Sequence, residues 1–294
     1  MNSLKPELSN IPKLWLGSGS EFYGARIFNS GRPIVIFDSG IGGLTVVREL
    51  EQLIQDADIL YVADNEWFPY GSKAGPDIAR RVEQLLDRLR VQINPAAIVV
   101  ACNTASVAII DHGTEDFRRH CFLVTPLLNE AVNASENNNI VFLATPGTLK
   151  SRYVIQAITS IKMSANIWPI ATQSLVALSE ARLAGEESNF EDFAELIGFN
   201  LTEEQRLSID TVVLGCTHFP HLIDGLRRIF PSAHNWIDPA RKVALQVVAS
   251  RKVVAEPISE QSKVVTFTSK REAVKYCQVF SRSGFGLLPS PSKE

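Results

Sequence analysis

Two cysteines, Cys102 and Cys216, occur in matching sequence contexts. Each follows a β-branched run and one small residue, and each precedes polar residues and a predicted helix start. N–H groups at a helix N-terminus stabilise a thiolate, so this position predicts a thiol pKa below the ordinary value of about 8.5. A buried structural cysteine explains one such context, but packing gives no reason for the same polar neighbours twice. The pair therefore indicates two reactive thiols.

One histidine, His218, lies two positions after Cys216. A zinc site would need this Cys-x-His pair plus Cys102, which is unlike the usual zinc spacings. An imidazole at this place can instead stabilise a thiolate or hydrogen-bond a substrate. Cys121 and Cys277 lie outside any such pattern and are interpreted as packing residues.

A glycine-rich turn spans 38–43 with the sequence Asp-Ser-Gly-Ile-Gly-Gly. It is not a G-x-G-x-x-G fingerprint, because Thr45 stands where the last glycine is required, and it lacks the Gly-Lys-Ser/Thr end of a P-loop. Two interpretations stay open. Backbone N–H groups and Ser39 could hold a carboxylate while Asp38 faces a cationic amine; alternatively, the segment is a tight turn in which Asp38 caps the next helix.

Alternating strands and helices position these residues. Apolar runs predict strands at 33–37, 58–62, 97–101, 139–143 and 211–214. Helical spacing predicts helices from residue 44, at 77–90 before Asn94-Pro95, at 174–184 before Gly185, at 189–199 and at 240–250. This alternation is typical of parallel sheets covered on both faces, with ligands beyond the carboxyl ends of the strands.

Length and composition limit the class of protein. The chain has 294 residues, which suggests one large domain or, more in line with ordinary sizes of about 100–200 residues, two. A net charge of -3 without a long basic run argues against nucleic acid or an anionic membrane as the main partner. No apolar run of about 20 residues predicts a membrane span, and the first residues lack the apolar block of a secretory signal. We therefore expect a cytoplasmic protein with reduced thiols.

Five strings of the chain resemble the cofactor-independent aspartate/glutamate racemase family. They are Phe37-Asp-Ser-Gly-Ile-Gly-Gly-Leu-Thr-Val46, Phe68-Pro-Tyr-Gly71, Val100-Ala-Cys-Asn-Thr-Ala-Ser106, Leu143-Ala-Thr-Pro-Gly-Thr148 and Val213-Leu-Gly-Cys-Thr-His-Phe-Pro220. Their order and spacing agree with the family across residues 34–250. The two cysteine strings together are specific, whereas the glycine turn alone is not.

The resemblance implies roles for individual residues. It implies that Cys102 and Cys216 are the two catalytic bases and that Asp38, Glu180 and His218 tune their thiols. The implied substrate contacts are Asp38, Ser39, Tyr70, Gly71, Asn103, Thr104, Thr148, Thr217 and His218. The segment before Glu180 departs from the family pattern Cys-Pro-x-x-Val-Pro-Leu-Val-Glu, since this chain has Thr172-Gln-Ser-Leu-Val-Ala-Leu-Ser-Glu180.

The family's architecture implies two α/β domains with mostly parallel sheets facing each other, with the active site in the cleft between them. On this chain we expect a first domain of residues 34–126 plus 239–286 and a second of 127–238. Residues 1–33 would be an N-terminal extension and 287–294 a tail. The resemblance implies no metal and no cofactor such as pyridoxal phosphate.

The implied reaction is the interconversion of L- and D-glutamate, which supplies D-glutamate for peptidoglycan in the bacterial cytoplasm. The extension resembles that of a proteobacterial subgroup in which some members depend on a UDP-linked muramyl-peptide precursor as activator, a hypothesis for this chain. A homodimer is one assembly that the resemblance allows. Three alternatives stay open. They are an amidase using Cys216 with His218, an amino-acid-binding protein, and a racemase or decarboxylase of the same family acting on another substrate.

Overall fold

The computed structural model describes residues 28, 32–54, 57–186, 197, 200–250 and 262–287. The strands are β1 (Ile34–Asp38), β2 (Ile59–Ala63), β3 (Ala97–Val100), β4 (Cys121–Leu123), β5 (Asn139–Ala144), β6 (Asn166–Ala171), β7 (Thr211–Gly215), β8 (Asn235–Ile237), β9 (Lys263–Phe267) and β10 (Gly286–Leu287). The helices are α1 (Leu44–Leu53), α2 (Gly75–Ile93), α3 (Asn103–His112), α4 (Glu115–His120), α5 (Leu128–Ala134), α6 (Pro146–Leu149), α7 (Arg152–Ile161), α8 (Gln173–Ala184), α9 (Glu203–Ser208), α10 (Ile223–Ile229), α11 (Ala240–Ala249) and α12 (Lys270–Arg282). Short 3₁₀ turns lie at Tyr70–Ser72 and Phe219–Leu222.

The first sheet has the strand order β10-β9-β2-β1-β3-β4, and its strands pair in parallel. All five residues of β1 are buried, because the sheet is covered on both faces. Ile34 and Ile36 pack on the face covered by α1, α11 and α12. Val35 and Phe37 point to the opposite face, which α2 and α3 cover. The carboxyl ends of β1 and β3 thus bring Asp38 and Cys102 to the same edge.

The second sheet has the order β6-β5-β7-β8 and is also parallel. Val141 and Leu143 of β5 pack with α8 and α10. Ile140 and Phe142 pack with α5 and α7 on the other face. The two parallel sheets confirm the predicted α/β fold class.

Two helices end at the residues that the sequence predicts as helix ends. α2 ends before Asn94, which adopts a left-handed φ of 45°, and α8 ends before Gly185 with a φ of 87°. Because the left-handed region suits glycine and asparagine, these residues end helices without strain. α2 begins earlier than predicted, at Gly75, since Pro76 fits the first helical turn.

Some elements of the structure were not predicted from the sequence patterns. β6 contains Pro169 and is an edge strand, where a missing N–H is tolerated. The helix start predicted after the polar residues that follow Cys216 is a 3₁₀ turn at Phe219–Leu222, and the α-helix α10 begins at Ile223. A tight i to i+3 bond from the Phe219 N–H to the Cys216 carbonyl starts this turn.

Part of the sequence-based prediction lies beyond the described residues. The predicted helix at 189–199 falls outside them except for Ile197, and the predicted extension and tail fall almost wholly outside. β9 pairs with β2 in the first sheet, so the chain returns there after the second sheet. The domain boundaries themselves stay predictions. Among the described helices, none combines the length and apolar character that a bilayer crossing requires.

Candidate active site

Cys102 is the N-cap residue of α3 and is buried at the carboxyl edge of the first sheet. Its sulfur lies 3.7 Å from the Ser39 hydroxyl oxygen. Burial raises the pKa of the Cys102 thiol to about 12, and the nearby charge of Asp38 adds to the rise. The expectation of a lowered pKa is therefore wrong for this thiol, because desolvation outweighs the N–H groups of the helix. Cys102, Ser39 and Asp38 are called the Cys102 side below.

Cys216 follows β7 in the second sheet and is equally buried. Its sulfur lies 3.7 Å from Nδ1 of His218, and Nε2 of that imidazole lies 2.7 Å from Oε1 of Glu180. Burial alone would lower the pKa of His218, but hydrogen bonds with Cys216 and Glu180 outweigh it and hold that pKa well above 6.5. Burial alone would raise the pKa of Glu180, but the hydrogen bond and charge of His218, together with hydrogen bonds from Tyr276 and the Ile41 N–H, outweigh burial and leave that pKa lowered. Cys216, His218 and Glu180 are called the Cys216 side.

Contacts between the two sheets bring these sides together. Thr217 donates a 3.1 Å hydrogen bond from its hydroxyl to Asp38, although the two residues belong to different sheets. The Ile41 N–H donates to Oε1 of Glu180 over 3.2 Å. The pKa of Cys102 also responds to the charge of Cys216. The two thiols therefore belong to one electrostatically connected site.

At the glycine turn the two halves of the site are in close contact. A Cβ atom on Gly40 would collide with Glu180, and one on Gly42 would collide with His218 and Thr217. Asp38 does not cap α1, because its carboxylate accepts from the Gly40 N–H over 2.7 Å and Gly43 is the N-cap residue. The glycines thus serve close packing of one half of the site on the other. Burial raises the pKa of Asp38, while the charge of His218 opposes that rise.

Hydroxyl and amide groups line the same region. The Thr104 hydroxyl lies 2.8 Å from that of Thr145 and 3.2 Å from that of Thr148, which again joins the two sheets. Asn103 is buried, and neither its side-chain oxygen nor its nitrogen has a hydrogen-bond partner in the structure. Buried polar atoms are normally paired, so the unpaired amide of Asn103 beside Cys102 is a candidate for contact with a ligand.

Contacts with other segments of the protein fix the position of the Tyr70–Gly71 segment. The Tyr70 hydroxyl donates to Asp64, whose carboxylate also accepts two 2.6 Å hydrogen bonds from Arg81. The tyrosine hydroxyl is therefore engaged within the protein. A Cβ atom on Gly71 would collide with Gln173 of the second sheet side, so this glycine lies at the contact between the halves.

Sequence reasoning missed some residues that the structure places here. Thr145 lies in the family-like segment 143–148 and is hydrogen-bonded to Thr148. The Thr-x-x-Thr spacing of these two residues could have indicated Thr145 as a site residue. Asp64, Arg81 and Gln173 had no signal, because their positions depend on contacts between distant segments. Within the described ranges, no three His, Cys, Asp or Glu side chains converge as a metal site would require.

Comparisons with known proteins bear on this site. The sequence model of the Asp/Glu/hydantoin racemase family matches residues 42–247. A glutamate racemase of Brucella anthropi is 32% identical over 259 residues, covering 87% of this chain and 92% of that protein.

The similar solved structures are also glutamate racemases. The chain is similar to Escherichia coli glutamate racemase in complex with L-glutamate and the activator UDP-MurNAc-Ala, with a TM-score of 0.76, 29% identity and coverage of 89% of this chain and 98% of the other. It is also similar to Thermus thermophilus glutamate racemase in complex with beta-chloro-D-alanine, with a TM-score of 0.68, 26% identity and coverage of 89% and 97%.

Proposed function

This chain belongs to the Asp/Glu/hydantoin racemase family, and we propose on that basis a two-thiol mechanism for it. It is an isomerase that acts on glutamate and interconverts the L and D enantiomers, as its glutamate racemase relatives indicate. D-glutamate is a building block of peptidoglycan, and we place the reaction in the bacterial cytoplasm.

Racemisation requires removal of a proton from one face of Cα and delivery of a proton to the other face. One base would have to cross the substrate, whereas two bases on opposite walls avoid this. The observation that supports the proposal most is the presence of two buried thiols, Cys102 and Cys216, on different sheets around the Asp38–Thr217 contact.

The surroundings of the two thiols suit opposite roles. With a pKa of about 12, Cys102 is a protonated thiol near neutral pH and is ready to give a proton. A charged His218 beside Cys216 stabilises negative charge on that sulfur. In the L-to-D direction the Cys216 thiolate breaks the Cα–H bond and takes the proton, and the Cys102 thiol gives its proton to the opposite face. The reverse direction exchanges the roles.

Binding residues would hold the substrate carboxylates as negative charge develops. Asn103 has two unpaired amide atoms next to Cys102, and we assign it to the substrate. Ser39, Thr104 and Thr217 are short donors at the same edge, and Thr148, Tyr70 and Gly71 complete the proposed contacts. Donors fixed before the reaction stabilise developing charge without reorganising.

The proposal also includes an activator and an oligomeric state. The Escherichia coli relative is described with the activator UDP-MurNAc-Ala, and we propose that such a UDP-linked precursor also activates this chain. We also propose that the chain forms a homodimer. Measurement of its size and mass in solution tests this.

The direct test is incubation of the purified protein with L-glutamate and, separately, D-glutamate. Circular dichroism of the free amino acid should decay to zero from both starting points. Parallel assays with L-aspartate and with L-glutamine, the latter read as ammonia release, separate the related racemases and the amidase. Ammonia release from glutamine without decay of the glutamate signal would contradict the proposal.

A further inference from the structure

The first residue of α8, Gln173, has a buried polar atom without a partner. Its side-chain oxygen Oε1 accepts no hydrogen bond from the described residues. Buried polar atoms are normally paired with protein or water, because leaving one unpaired is unfavourable. Rotation of the amide exchanges its oxygen and nitrogen, so Gln173 can offer an acceptor or N–H donors at this place. Its side chain is therefore a candidate for contact with a ligand.

Gln173 lies against Gly71 of the other half of the site. A Cβ atom on Gly71 would collide with Oε1 of Gln173 and would lie 2.8 Å from Cβ of Thr145. The Thr145 hydroxyl lies 2.8 Å from that of Thr104 and 3.0 Å from that of Thr148. Hydroxyl hydrogens rotate to suit an acceptor. One amide and three hydroxyls thus gather here as neutral donors for a carboxylate, and this region is called the Gln173 end of the site.

Helix α8 separates the Gln173 end from the Cys216 side. Gln173 and Glu180 are seven residues apart in this helix, so they lie on the same face and about 10 Å apart along its axis. Glu180 contacts His218, which lies beside Cys216. In the proposed mechanism the reacting Cα lies between the two sulfurs, and Asn103 suits the α-carboxylate attached to it. The Gln173 end is then left for the carboxylate of the substrate side chain.

We propose that Gln173 donates a hydrogen bond to the side-chain carboxylate of glutamate and that this contact selects glutamate over aspartate. The inference rests on the proposed function, because it takes the reacting carbon to lie between the sulfurs. Aspartate is one methylene shorter, so its side-chain carboxylate falls short of the amide when its Cα occupies that place. A site that hydrogen-bonds its substrate rejects an analogue that cannot form the bond more strongly than an apolar pocket does.

Two substitutions separate the hydrogen bond from the packing of Gln173. Gln173→Met keeps an unbranched side chain of similar length and removes the amide. Gln173→Glu keeps the shape and places a negative charge opposite the substrate carboxylate. Gln246→Glu makes the same change on an exposed residue of α11 and is the matched control. Thermal melting of each variant checks that it is folded.

Initial rates with L- and D-glutamate, and isothermal titration calorimetry with glutamate and with L-aspartate, measure the effect. We expect Gln173→Met to raise KM and Kd for glutamate by about tenfold, since a hydrogen bond to a charged group is lost, and to change kcat little. Gln173→Glu should have a larger effect of the same kind. Aspartate binding should change little in Gln173→Met, so that the preference for glutamate falls. Gln246→Glu should behave as the native chain.

A loss of affinity confined to glutamate supports the proposal. Equal losses for glutamate and aspartate, a lower kcat at unchanged KM, or unchanged glutamate binding in both Gln173 variants would overturn it. The two-thiol mechanism is tested separately. If Cys102→Ser still racemises glutamate while Gln173→Met selectively weakens glutamate binding, the two-thiol mechanism fails and the Gln173 contact stands.

Discussion

The Cys102 side and the Cys216 side have the same plan in the sequence and different surroundings in the fold. Cys102 has a neutral hydroxyl partner in Ser39 and the negative charge of Asp38 nearby. Cys216 instead has His218, which is in turn held by Glu180. Matching local sequence therefore does not produce matching chemistry. In the mechanism that we propose, these different surroundings suit Cys102 to giving a proton and Cys216 to taking one.

Replacement of either sulfur tests this comparison most strongly. Cys102→Ser and Cys216→Ser should each abolish detectable racemisation, since a serine hydroxyl is a far weaker acid and loss of one acid–base group costs about 10²–10⁴-fold. In the mechanism that we propose, Cys102 acts on D-glutamate and Cys216 on L-glutamate, so exchange of solvent deuterium into each enantiomer should be lost selectively. Circular dichroism of the folded variants is the control. Full racemisation by either variant would refute the two-base mechanism.

Glu180→Gln should disturb the Cys216 side alone. The amide keeps a hydrogen-bond acceptor for His218 but removes the charge that helps raise the His218 pKa. We expect turnover to fall by about 10- to 100-fold near neutral pH, with a pH profile moved to lower pH, because a less basic imidazole stabilises charge on Cys216 over a narrower range. Glu186→Gln, an exposed residue just after α8, is the matched control. An unchanged pH profile for Glu180→Gln would show that the pair does not act on catalysis.

Arg81→Met should disturb the region behind Tyr70, which is buried within the electrostatic range of Cys102. Without Arg81, the fully buried Asp64 loses its charge partner, and we expect the free energy of unfolding to fall by about 2 kcal/mol. KM for glutamate should rise more than kcat falls, since the Tyr70–Gly71 segment loosens. Arg80→Met changes an adjacent exposed arginine whose only described partner is Asp77, and it should leave both quantities unchanged. Equal effects of the two variants would contradict the positioning role of Arg81.

The pH dependence of stability gives the smallest expected effect. Glu180 has a lowered pKa, so its contribution is present above the ordinary value of 4.5 and is lost as pH falls through its folded value. His218 has a raised pKa, so its contribution is present below 6.5 and is lost as pH rises through its folded value.

The stability difference between the native chain and Glu180→Gln should therefore be greatest between pH 4.5 and 6.5. We expect a maximum of about 1 kcal/mol, because burial of both charges offsets much of their attraction. Urea unfolding of both proteins across this range measures it. A difference that does not vary with pH would mean that the pair is uncharged in the folded protein.

Local sequence was sufficient where a structure depends on neighbouring residues. The apolar runs predicted as strands at 33–37 and 211–214 became the central strands β1 and β7, and Asn94 and Gly185 end their helices as expected. β6 was not predicted as a strand, because Pro169 and the partial exposure of this edge strand leave no clear apolar pattern in the sequence. The lowered pKa expected for Cys102 was wrong because the helix N-terminus is a local feature, whereas its burial and the charge of Asp38 come from the whole fold.

The sequence by itself determined the alternation of strands and helices, and hence two parallel sheets with polar residues at their carboxyl edges. It also contained the strings that indicate the family. Only the tertiary structure decided that Glu180 meets His218, that Thr217 meets Asp38, and that Tyr70 donates to Asp64. Propensity and turn chemistry act over a few residues, but protonation depends on which distant charges and dipoles packing brings within a few ångströms.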